Sequence, residues 1–62
     1  MDPTTAYYRW AEAVAEGDRH EANEHYIALR AWLERGGFEP SWTPEDRADF
    51  FSYNTRTGQT RR

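Results

Sequence analysis

Residues Asp18–Arg35, DRHEANEHYIALRAWLER, decide the fold, because this one stretch carries a start signal, a helical period and a stop signal. Asp18 offers a carboxylate to the first free N–H groups of a helix, and Glu21 stands where the reciprocal half of a capping box belongs. Downstream, Ala22, Tyr26, Leu29 and Leu33 recur at i, i+4, i+7 and i+11 and so line one face, which His25, Ala28 and Trp32 widen. Arg19, Asn23, Glu24, Arg30 and Glu34 fall mostly on the other side. Gly36-Gly37 closes the element, since the first residue past a helix commonly turns left-handed and glycine does so without a steric penalty. The product is an amphipathic helix that needs a partner surface.

The partner lies immediately upstream. Asp2-Pro3 opens a helix with an acidic cap and a proline at the first position, where its missing N–H costs nothing. Tyr7, Trp10, Ala11 and Val14, with Ala6 and Ala13 beside them, form an apolar face of nearly equal length, and Arg9, Glu12 and Glu16 point away. Gly17 ends this helix and Asp18 starts the next, so a connection of about two residues forces the pair into an antiparallel hairpin.

Downstream of Gly37, the segment FEPSW is held extended by Pro40, and Phe38 and Trp42 are expected to fold back over the hairpin. Thr43-Pro44-Glu45-Asp46 opens a short helix with a cap, a proline and first-turn acids that the helix dipole favours. Ala48 and Phe51, with Phe50 as a further candidate, are expected to close the core. Asn54–Gly58 carries turn residues, and the polar remainder has nothing to bury. The expected fold is therefore all-α: a hairpin over about 3–16 and 19–35, a third helix over about 44–52, one domain in 1–53 and a flexible basic tail in 54–62. A β-hairpin over 50–62 is the structural alternative.

A chain of 62 residues buries only about 60 % of the surface its unfolded form exposes, so its core must be rich. Three Trp, four Tyr and three Phe supply that volume, and no cysteine is present to add a disulfide or a thiolate metal site. No run approaches the ~18 apolar residues of a membrane span, and MDPTTAYYR lacks the charged start and apolar centre of a secretory signal, which points to the cytoplasm. The net charge of −3 is unevenly spread: eleven acids face five Arg up to Asp49, whereas Phe50–Arg62 holds three Arg and no acid. An acidic body argues against broad phosphate binding, which relies on clustered cations.

Chemistry-bearing patterns are sparse. His20-Glu21-Ala22-Asn23-Glu24-His25 resembles a zinc-helix motif in composition, but its histidines are at i, i+5, about 140° apart around the axis, and cannot meet on one ion. Pairing of His20 with Glu24 and of Glu21 with His25 is the expected arrangement. Ser41 and Ser52 lack a nucleophile elbow, and Gly36-Gly37 closes a helix where a phosphate cradle would open one. These patterns point to no enzyme activity, no cofactor and no metal.

Aromatic residues at the edge of an apolar stripe, flanked by arginine, are the stuff of interface hot spots. Tyr8, Arg30 and Trp32 are accordingly the candidate protein-binding residues, for a partner protein or a second copy of the chain. The alternative is nucleic-acid binding, with Arg56, Arg61 and Arg62 on phosphates.

Three resemblances accompany this reading. Gly17–Leu29 is similar to the turn and second helix of a tetratricopeptide repeat, with Ala22 and Tyr26 at its locking positions, although Trp10 stands where that repeat wants a small residue. From Trp42 through FFSYNTRTGQTRR the chain resembles the second half of a WW domain, but Arg62 occupies the place of the second tryptophan that grips proline-rich ligands. Trp32–Trp42, WLERGGFEPSW, together with cations that are all arginine, resembles small uncharacterised proteins of actinobacteria and their phages. That resemblance implies a phage- or mobile-element-type protein whose action is to bind another protein.

Overall fold

The computed structural model describes residues 1–60. They form three helices, α1 (Pro3–Glu16), α2 (Arg19–Glu34) and α3 (Pro44–Phe51), with α1 and α2 packed as an antiparallel hairpin. The all-α architecture predicted above is thus the observed one. Among the described residues no helix is long and apolar enough to cross a membrane.

The helix ends follow from local chemistry. Asp2 Oδ1 accepts from the N–H of Thr4 at 3.1 Å, and Asp2 Oδ2 from the Thr5 hydroxyl at 2.8 Å. Gly17 closes α1 with φ 75°, its N–H donating to Val14 O at 3.1 Å while that of Asp18 reaches Ala13 O at 2.9 Å. This is a Schellman closure, and it changes the capping box. The Asp18 N–H is already used by Ala13, so Asp18 caps Glu21 N–H at 3.1 Å while the Glu21 carboxylate turns instead to His25 at 3.3 Å. Gly36 repeats the closure on α2 with φ 87°, and Thr43 Oγ1 caps α3 through the Asp46 N–H at 3.0 Å.

The core is aromatic. Tyr7, Trp10 and Ala13 of α1 meet Ala22, Tyr26 and Leu29 of α2, and Phe50 and Tyr53 close the third side. Phe50 is fully buried and stands edge-on to Trp10 at 5.0 Å. The expected inward face of α3 is therefore shifted: Ala48 and Phe51 are exposed, and Phe50 points in. Asp46, Phe50 and Tyr53 form an i, i+4, i+7 row that is half-buried to buried, and its charged first member hides it from a search for apolar spacing. Trp42 lies over Tyr7 and Phe50 as expected, whereas Phe38 is 68 % exposed. The connection from α2 is tied down by buried Pro40 and by the Ser41 N–H, which donates to Thr4 Oγ1 at 3.0 Å.

Residues 54–60, expected above as part of a flexible tail, include a closed turn with one antiparallel bridge between Asn54 and Gln59. The turn sits on α2, where Asn23 Nδ2 donates to Thr55 O at 3.1 Å and Arg19 Nη1 to Arg56 O at 2.7 Å. Polar residues counted toward the outer face of α2 thus have chain to bind.

Candidate functional site

The last turn of α2 and the glycine pair build an exposed aromatic platform. One glycine suffices to close a helix, and Gly36 does so. Gly37 serves a different end: a Cβ there would lie 2.3 Å from the Trp32 indole, so only a residue without a side chain lets the ring lie flat against the backbone. The indole N–H then donates to Phe38 O at 2.9 Å, and the Gly37 N–H to Trp32 O at 3.0 Å. With the Phe38 backbone held in this way, its ring stands edge-on to Trp32, with centroids 5.6 Å apart and planes at 83°. Trp32 is half-buried against the core, and Phe38 stands in water.

Arg30 faces away from this platform, being two residues and therefore about 200° of helix from Trp32. Its Nη1 donates to Tyr26 Oη at 2.8 Å and its Nη2 lies 3.4 Å from Glu34 Oε1. The hydrogen bond to Tyr26 pushes the guanidinium pKa further up, so the charge is permanent. The same guanidinium lies 5.5 Å from the centroid of Phe51, and that of Arg47 lies 4.8 Å from it. Such cation–π contacts cover an exposed ring with charge. Tyr8 is 60 % exposed on α1 and leans on Tyr7 at 5.6 Å. Tyr8, Arg30 and Trp32 thus occupy separate places, with no contact recorded among them.

The remaining sequence candidates are also placed. His20 pairs with Glu24 at 3.4 Å and His25 with Glu21 at 3.3 Å, as their spacing predicts. Arg56 lends its carbonyl to Arg19, and Arg61 and Arg62 lie outside the described residues. Beside the hairpin turn a groove of about 260 Å³ is lined by Glu12, Glu16, Asp18 and Glu21, opposed by Arg9 and His25. Its carboxylates repel phosphate.

Two features escaped the sequence reading. Phe38, expected to fold back over the hairpin, stands in water, and its signal is the second, redundant glycine at position 37, five residues after Trp32. Arg19 and Asn23 were read as solvent-facing, and nothing near them in sequence shows the carbonyls they bind.

Comparison of the chain with known protein families, characterised proteins and solved structures finds no match to any of them.

Proposed function

We propose that this chain is a small non-enzymatic protein-interaction module whose contact ring is Phe38, carried on Trp32. The observation behind this reading is an exposed aromatic ring set edge-on to Trp32 on a backbone tied by hydrogen bonds. A ring left two-thirds in water adds little to folding, yet Gly37, the indole hydrogen bond and the Schellman closure fix the backbone that carries it, and the ring meets Trp32 edge-on. Fixing a side chain beforehand lowers the entropy cost of binding, which is where preorganised aromatic anchors gain affinity. Trp32 keeps its place in the reading as the support of the contact, while Arg30 is committed to Tyr26, Glu34 and Phe51 inside the molecule. Tyr8 is a second exposed ring on another face.

Light scattering across a range of concentrations comes first. Association of wild type that disappears in Phe38→Ala identifies the partner as a second copy. If wild type stays monomeric, a photo-crosslinking residue at position 38 captures the foreign partner, and the same residue at Ile27 is the control. Equal capture from 38 and 27, or association that survives Phe38→Ala, ends the reading.

A further inference from the structure

The C-terminal turn is fastened differently from everything else in the molecule. Within it, the Asn54 N–H donates to Gln59 O at 2.9 Å, the Gly58 N–H to Asn54 O at 2.8 Å and the Arg56 N–H to Asn54 Oδ1 at 2.8 Å. Apart from half-buried Gly58, every residue from 54 to 59 is exposed. Its attachment comes from two α2 side chains one helical turn apart. Asn23 Nδ2 binds Thr55 O and Arg19 Nη1 binds Arg56 O, both at the surface, and the Arg19 stem lies against Gly58 so closely that a Cβ there would come within 2.9 Å of Cγ. Asn23 also accepts from the Tyr53 hydroxyl through Oδ1. Among the described residues from 53 onward Tyr53 is the buried one, packed edge-on to Trp10 at 5.6 Å and tilted on Tyr26 at 5.0 Å.

Local stability follows buried apolar contact, and segments held by solvent-exposed hydrogen bonds open first. The hairpin is held by buried Trp10, Ala22 and Leu29, whereas among the described residues the turn is held by two exposed hydrogen bonds, the Arg19 stem at Gly58, and Tyr53 with its hydroxyl on Asn23. An open groove of about 340 Å³, lined by Tyr26, Phe51, Ser52, Tyr53, Asn54 and Thr55, borders it. We propose that residues 54–59 are a strap clamped by Arg19 and Asn23, opening around Tyr53 while the hairpin stays folded, and that opening widens this groove along the Tyr26 ring. A released turn of six residues has no support for its internal bonds, so its amides exchange when the clamp lets go.

Native-state hydrogen exchange by NMR tests this. The Asn54 and Gly58 amides are expected to exchange at least about tenfold faster, relative to their intrinsic rates, than those of Tyr26 and Leu29. Asn23→Ala should speed the strap amides by about another tenfold and leave the α2 amides unchanged. Gly58→Ala acts from the other side, through its left-handed φ of 72° and the Arg19 stem, and should move the same amides alone. Strap amides as protected as Leu29, or a loss of protection by the same factor in both sets, would overturn the proposal.

Discussion

Along one flank of α2, Arg19, Asn23 and Arg30 reach the C-terminal segment through hydrogen bonds and a charged ring contact; along the other, Trp32 lies flat on Gly37 and carries Phe38. The polar flank binds chain at the surface while Phe38 on the apolar platform stays in water, which residue type alone does not suggest. Arginine and asparagine at a helix edge are long and polar enough to bind passing carbonyls, so they become intramolecular clamps. A tryptophan at the other edge has one N–H to satisfy, satisfies it locally, and leaves its neighbour's ring free.

The comparison breaks most completely in Phe50→Ala, which removes the ring packed on Tyr26 and Trp10 beneath the polar flank. Truncating a fully buried Phe costs about 3–5 kcal/mol, against a total of roughly 3–9 kcal/mol expected for a chain of this length. Thermal unfolding followed by far-ultraviolet circular dichroism should show the midpoint lowered more than in any other variant, and an unchanged midpoint would contradict the placement of Phe50.

Gly37→Ala attacks the other flank. The added methyl displaces the indole, and overpacking of this kind costs about 1–3 kcal/mol. Urea titration should register that loss together with a change in tryptophan emission; an unaltered spectrum would mean that Trp32 does not rest on this backbone. Tyr53→Phe sharpens the polar side, since it deletes only the hydroxyl bonded to Asn23, at an expected cost of about 0.5–1.5 kcal/mol in the same titration.

Alkaline pH probes the same hydroxyl without mutation. Burial pushes the Tyr53 phenol above its ordinary value, and burial with the nearby Asp46 and Asp49 carboxylates does the same for Tyr7. The folded state therefore keeps these protons after the unfolded chain, with its ordinary tyrosine pKa near ~10, begins to release them. Stability from this source is complete below pH ~10 and falls as pH rises through the folded values. Denaturant midpoints between about pH 8 and 11 should decline at the upper end, less so in Tyr53→Phe; equal declines would assign the effect to Tyr7 alone. The smallest stability change belongs to Phe38→Ala, within about 0.5 kcal/mol. A larger loss would make Phe38 a packing residue and remove it from the proposed contact.

Legibility in the sequence divides along the same lines. Asp2-Pro3, Gly17-Asp18, Gly36 and Thr43-Pro44 set the helix ends through bonds that span five residues or fewer, so each signal and its partner are read together. The stripe Ala22, Tyr26, Leu29 likewise names the buried face of α2. Trp32 was legible as an edge residue of that stripe, but its pairing with Phe38 was not, because an aromatic residue near a proline carries no mark of exposure.

By itself, then, the sequence determined three helices, their bounds and the antiparallel hairpin, because capping and helical periodicity are local and the two-residue connection leaves one arrangement. Only the tertiary structure decided that Phe50 enters the core in place of Phe51, that the C-terminal turn docks on Arg19 and Asn23, and that Phe38 stays in water beside Trp32. Those outcomes depend on side-chain packing and on contacts that reach across thirty residues or more, where many pairings are chemically acceptable and packing selects one.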